Sequence, residues 1–207
     1  MNVYDFDNTI YYTNSTYKYL AHCALHYPRV LFQYGPKAVL ALIRYKTGRL
    51  SKMEAVKICL SYPGYVPDFD KSIEAFWDRE EKHIREWYLK QKKEDDLVIS
   101  ASPECIVKPM TDRLGIRLIG SDYDWKENRF TGPCMYGRHK STCLIRNGMF
   151  LENVIDEFYS DSIYDTPLAL CAEKAFLVKN KAREITPWPK VSELTKDRNF
   201  FKKIRLR

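Results

Sequence analysis

Two carboxylates stand one residue apart in the stretch "VYDFDNTI", at Asp5 and Asp7, directly behind a short apolar run that reads as a buried strand. Burying unpaired carboxylates is costly, so the pair needs a partner that makes negative charge useful, and a bound cation or a phosphoryl group is the usual one. Other residues able to do chemistry follow other apolar runs. Ser100 and Ser102 follow "DLVI", Lys140 stands in "YGRHK" two residues after Arg138, and Asp161 and Asp165 stand in "YSDSIYD". In an open parallel sheet ligands sit outside the carboxyl ends of the strands, so these acids, hydroxyls and amine would gather on one edge.

Taken singly, each residue has a plainer reading. Asp5 and Asp7 could form a strand-end turn. Ser100 could be a hydroxyl at the core edge, and Ser102 reads best as the N-cap of the next helix. Lys140 could be an ordinary exposed lysine, Asp161 an acid at a helix N-terminus and Asp165 a cap before Thr166–Pro167. The joint pattern outweighs these separate readings.

The elements that must position them alternate. "NVYDF" (2–6), "DLVISA" (96–101), "IRLIGSDYD", "VIDEFYSDS" and "AFLVK" read as strands. A helix begins at Pro103 and ends at Gly115, a short helix covers "HKSTCLIRNG", another covers "TPLALCAEK", and "NRFTGPCMYG" reads as a hairpin near Gly132. Between the first two strands, residues 14–91 look helical throughout, with breaks at Pro28, Gly35–Pro36, Gly48 and "YPGYVP", and a capping-box start at Ser51 and Glu54. This predicts a doubly wound α/β core with a parallel sheet, built from residues 1–13 and 92–207, interrupted by an inserted helical bundle at 14–91.

Composition narrows the setting. The chain has 207 residues, 45% of them hydrophobic, enough for one sizeable core or two smaller ones. Of the +7 net charge, the segment Lys190–Arg207 carries seven basic residues against two acids, which reads as a solvated tail or as a patch for an anionic surface. Six cysteines without CxxC spacing suggest reduced thiols, and the N-terminus shows no signal-like region, so a cytoplasmic protein is expected. Aromatics at helical core spacing offer no stacking platform, so no nucleic-acid partner is expected.

In this order the motifs resemble those of the haloacid dehalogenase superfamily of phosphatases, subfamily IB, the branch similar to phosphoserine phosphatase. "DFDNTI" matches DxDxT[VI], "VISAS" the strand-end hydroxyl, Lys140 the phosphate-clamping lysine, and "SDSIYDTPL" the acidic motif GDxxxDxPM. The resemblance covers nearly the whole chain. It implies a Rossmann-like core with a C1-type helical cap, and Mg2+-dependent hydrolysis of a small organic phosphate ester through an aspartyl-phosphate. By that resemblance Asp5 is the nucleophile, Asp7 the acid and base, Ser100 and Lys140 phosphate ligands. Asp5, Asp7 (through its backbone carbonyl) and Asp161 hold the metal, and Asp165 orients Lys140 or a metal-bound water.

The chain also departs from the pattern. Asn8 and Ser160 stand where relatives often carry glycine. Asn14 stands where phosphoserine phosphatases carry a glutamate that pairs with the substrate amine, which argues against phosphoserine. With Asn14, Ser102 and Arg138 are the remaining candidates for substrate specificity. Between Tyr27 and Arg49, aliphatic and aromatic residues interleave with Arg29, Lys37, Arg44, Lys46 and Arg49. This reads either as a helical hairpin with a basic outer face or as an entrance for an amphiphilic phosphate near an anionic membrane, as in a phosphatidylglycerophosphate-type phosphatase. A non-catalytic, anion-binding protein on the same fold is the reading from another class.

Overall fold

A computed structural model describes residues 1–132, 134–135, 139–140, 142–143, 155–179 and 184–194. After β1 (Val3–Tyr4) come five helices in succession: α1 (Ser15–His26), α2 (Pro28–Lys46), α3 (Lys52–Cys59), α4 (Phe69–Glu80) and α5 (Glu86–Gln91). The chain then forms β2 (Leu97–Pro103), α6 (Glu104–Leu114), β3 (Arg117–Ser121), the strand pair β4 (Tyr123–Asp124) and β5 (Arg129–Phe130), β6 (Ile155–Ser160), β7 (Ala172–Lys179) and β8 (Glu184–Pro187).

The main sheet runs β3-β2-β1-β6-β7-β8 and is parallel except for β8, which pairs antiparallel with β7. From β1 the order proceeds outward to β2 and β3 on one side and restarts with β6 on the other. The gap between β1 and β6 is therefore the switch point where such sheets bind ligands. The structure thus has the Rossmann-like α/β architecture with a helical insertion.

Period-two alternation divides the sheet between two cores. Val3, Leu97, Ile99 and Phe158 pack on one face. Tyr4, Phe6 and Val98 pack on the other, together with Tyr19, Tyr62, Phe76 and Trp77 from the helical segment. Trp77 is fully buried, in edge-on contact with Phe6 at 5.9 Å, and its indole N–H donates to the Ile106 carbonyl at 2.7 Å. Helix α4 is thereby tied to α6 as well as to the loop behind β1.

Several local readings need correction. The chain does not break at Gly35–Pro36; α2 continues through Pro36, whose missing N–H is tolerated because Pro36 stands on an exposed part of the helix. A hairpin pairs Tyr123–Asp124 with Arg129–Phe130, with Asn128 at φ 51° in its turn, while part of the hairpin expected near Gly132 lies outside the described residues. The helix expected over "TPLALCAEK" stops at Ala169, and β7 already begins at Ala172 because Ile155 of β6 pairs with it. Strand β8 was not anticipated. The Ser51–Glu54 capping box is present, and Gly48 and Gly115 take the left-handed conformation at helix ends.

Candidate active site

The loop behind β1 makes the site. The Phe6 carbonyl accepts from the N–H groups of both Ile10 and Tyr11, at 3.1 and 3.0 Å, and Asn8 takes φ 60°. Asparagine bears that left-handed conformation more easily than most residues, which accounts for its place there. The tight turn carries Asp5 and Asp7 to the edge of a cavity of about 160 Å³, shared with Asn14, Ala101, Lys140, Asp161, Tyr164 and Asp165 among others. Residues from β1, β2, the segment at 140 and the end of β6 therefore converge at the switch point.

The two aspartates have different surroundings. Asp5 is 7% exposed, and its Oδ1 accepts from Lys140 Nζ at 2.5 Å. Lys140 also donates to Asp165 Oδ2 at 2.8 Å, and Ser160 Oγ donates to that same oxygen at 2.8 Å. Burial, Asp165 and Asp161 push the Asp5 carboxyl well above the usual carboxylate range despite the ammonium of Lys140. Burial alone would lower Lys140, but Asp165 and Asp5 outweigh it and hold the amine above its ordinary value.

Asp7 faces hydroxyls and amides. Its Oδ2 accepts from Ser102 Oγ at 2.5 Å, and its Oδ1 accepts from the Ser15 backbone N–H at 2.7 Å. Burial pushes the Asp7 carboxyl above its ordinary value, and these hydrogen bonds partly counter the rise. Ser102 is in turn bonded by Thr16 Oγ1 at 2.7 Å. Thus Ser102 is not the N-cap of α6, a position held by Pro103; its hydroxyl links the helical segment to Asp7. Nothing in local spacing signals this bond, which joins residues 95 positions apart.

The remaining expected residues fall as follows. Ser100 is buried at the strand end, where its Oγ accepts the Ser102 N–H at 3.1 Å. Asn14 lines the cavity and caps α1, accepting from the Tyr17 N–H at 3.0 Å, while its amide approaches Asp7 Oδ2 at 3.4 Å. Asp161 lies exposed at the cavity, its backbone N–H donating to Thr9 Oγ1 at 3.0 Å. Burial of its carboxyl against the cavity wall, with Asp165 and Asp7 nearby, pushes its value up to about 6 even though Lys140 opposes the change. Solvent reaches this group and screens part of that effect. Arg138 lies outside the described residues. Ser162, Tyr164 and Thr16 join the site or its support without having been singled out.

The charge count bears on a metal. Four carboxylates (Asp5, Asp7, Asp161 and Asp165) share the cavity with one ammonium, and all are hard oxygen donors suited to a small divalent cation. Among the described residues, no three Asp, Glu, His or Cys side chains form a metal cage by themselves. The carboxylates lining the cavity fit an ion of the Mg2+ type, which keeps waters and takes few protein carboxylates.

A family model for haloacid dehalogenase-like hydrolases matches residues 3–170. Among curated proteins, none matches the sequence. Among solved structures, a protein of unknown function from Bordetella pertussis Tohama I is 18% identical, with 84% of this chain and 87% of that one covered at a TM-score of 0.62. A HAD family hydrolase from Salmonella enterica subsp. enterica serovar Typhi is 16% identical at a TM-score of 0.54, covering 82% of this chain but only 59% of that one. A phosphoserine phosphohydrolase-like protein from Francisella tularensis subsp. tularensis SCHU S4 is 16% identical, with 84% and 86% covered and a TM-score of 0.49. The family model spans most of the sequence and contains every described candidate site residue: this chain belongs to the haloacid dehalogenase-like hydrolases.

Proposed function

We propose that the protein is a Mg2+-dependent phosphatase that hydrolyses a small organic phosphate monoester through an aspartyl-phosphate at Asp5. One observation carries this reading: two buried aspartates one residue apart have different partners, Asp5 the ammonium of Lys140 and Asp7 neutral hydroxyl and amide donors. Lys140 favours the Asp5 anion that must attack, against burial and the neighbouring acids, and a bound divalent ion would favour it further. The Asp7 surroundings suit a carboxyl that must hold a proton.

Asp5 attacks phosphorus, and the bond to the ester oxygen breaks. Asp7 gives its proton to the departing alkoxide, then removes one from the water that attacks the acyl phosphate, releasing inorganic phosphate and restoring both aspartates. Lys140 sets positive charge beside Asp5 and the transferring group, with Asp165 and Ser160 fixing its position. Ser100, buried at the end of β2 next to the cavity-lining Ala101, would donate to a phosphoryl oxygen. The Asp5 and Asp161 carboxylates and the Asp7 carbonyl would hold Mg2+, which neutralises phosphoryl charge during attack. Residues 14–91 act as a cap over a core formed by 1–13 and 92–207.

Hydrolysis of p-nitrophenyl phosphate tests the reading. Turnover should require Mg2+, stop with EDTA and fall at least 1,000-fold, by order-of-magnitude expectation, in Asp5→Asn. Absence of Mg2+-dependent turnover across a broad panel of phosphomonoesters would overturn it.

A further inference from the structure

Helix α2 is apolar around most of its circumference, apart from a polar stripe of Gln33, Lys37 and Arg44, yet only one side is covered. Val30, Tyr34 and Ala41 are buried and fall within a narrow arc of the helix, with Ala38 packed beside them. The opposite half of the cylinder, about 180° wide at 100° per residue, carries Leu31, Phe32, Val39, Leu40, Leu42 and Ile43. All six are exposed, Phe32 by 80%, Val39 by 57% and Ile43 by 53%. Contiguous exposed apolar surface of this kind marks a contact with something else.

Charge identifies the occupant. No Asp or Glu occurs between Asp7 and Glu54, while Lys18, Arg29, Lys37, Arg44, Lys46, Arg49 and Lys52 all fall in that interval. Those seven positive charges equal the +7 formal charge of the whole chain. Among the described residues, no carboxylate lies within ion-pair distance of Arg29, Arg44, Lys46 or Arg49. Among the described residues, Arg29, Arg44, Lys46 and Arg49 accompany the apolar half-cylinder with no acid in ion-pair distance. A second copy seated on this face would oppose two acid-free basic surfaces. A bilayer containing anionic lipid complements both features at once. Among the described residues, no helix is long and apolar enough to cross a membrane.

We propose that α2 is a docking helix that lies in the surface plane of an anionic lipid bilayer, with Phe32, Val39 and Ile43 entering the acyl boundary and Arg29, Arg44 and Lys46 meeting lipid phosphates. The inference stands on α2 alone and does not depend on the chemistry assigned to the cavity.

The test is co-sedimentation of the full chain with vesicles of phosphatidylglycerol and phosphatidylcholine in equal parts, beside vesicles of phosphatidylcholine alone. Binding should require phosphatidylglycerol and weaken with salt. Combining Arg29→Gln, Arg44→Gln and Lys46→Gln should weaken it roughly 100-fold, at about fivefold per charge. Combining Phe32→Glu with Ile43→Glu should abolish it. Both variants should keep the wild-type thermal midpoint and turnover of a soluble phosphate ester, if turnover is present. The triple variant decides the question even if the glutamate variant fails to fold. Failure of the wild type to bind phosphatidylglycerol vesicles overturns the proposal, as does binding that survives the triple variant. So does a solution dimer by light scattering that Phe32→Glu converts to a monomer, because the face would then be a self-interface.

Discussion

Replacing Ser102 by alanine removes one oxygen atom and disturbs three buried hydrogen bonds, to Asp7 and from Thr16 and Ser15. Asp7 loses its shortest donor, Ser102 Oγ at 2.5 Å, and keeps the Ser15 N–H at 2.7 Å, the Ser15 hydroxyl and the distant Asn14 amide at 3.4 Å. A hydrogen bond to a charged acceptor contributes about 2 kcal/mol, and its loss also shifts the Asp7 carboxyl. The direction is upward, because the Ser102 hydroxyl is the first of the contacts that hold Asp7 down against the effect of burial. Thr16 Oγ1 also loses its buried acceptor, adding about 1 kcal/mol. Ser102→Ala should therefore lower metal-free stability at neutral pH by about 2–3 kcal/mol and move every limb of the pH–rate profile set by Asp7 to higher pH. Thr16→Val, which spares the Ser102–Asp7 bond, should reproduce only the smaller stability loss. Urea unfolding and kcat against pH, both measured with a soluble ester, supply the readings. If the Ser102→Ala profile superimposes on the wild type, Ser102 does not tune Asp7, and the roles divided between the two aspartates lose their basis.

Other expectations follow from the same geometry. Lys140→Met leaves Asp5 and Asp165 buried without their cation, so urea unfolding without Mg2+ should show a loss of about 3–5 kcal/mol, partly recovered by adding Asp5→Asn; an unchanged midpoint would refute the pairing. Asp161 binds its proton more tightly folded, at about 6, than unfolded. The native state then holds more protons between about pH 4 and 6, and stability is lost as pH rises through that window. Metal-free Asp161→Asn should accordingly gain stability over wild type at pH 7 but not at pH 4, and Mg2+ should favour wild type; an equal difference at both pH values would contradict this. Trp77→Ala removes a fully buried ring and its bond to Ile106, and should cost about 3–5 kcal/mol in a single cooperative transition, since the helices and sheet share one core. Separate transitions for the two parts would show that the shared core does not couple them.

The parts of this architecture set by local chemistry could be read from the sequence. Alternating strands and helices gave the parallel sheet, and Ser51–Glu54 marked a helix start because a capping box lies within four residues. Asp5, Asp7, Lys140, Asp161 and Asp165 could be expected on one rim because each follows a strand or opens a helix, and the cavity contains all five. What local spacing cannot carry is the identity of a distant partner. Ser102 has the composition and position of a helix cap, yet its partners are Asp7 and Thr16, contributed by the loop after β1 and by α1. Similarly, Gly35–Pro36 looks like a stop, but a helix exposed along that side can tolerate the missing donor. The early start of β7 depends on pairing with β6, which no window of residues around Ala172 reveals.

The most direct test is to find where the phosphoryl group resides during turnover. A single-turnover reaction with a soluble phosphate monoester and Mg2+, quenched in acid and digested, should yield one phosphoryl group on the peptide containing Asp5 and none in Asp5→Asn. Turnover with no phosphorylated peptide, or a phosphoryl group on another residue, would contradict the account.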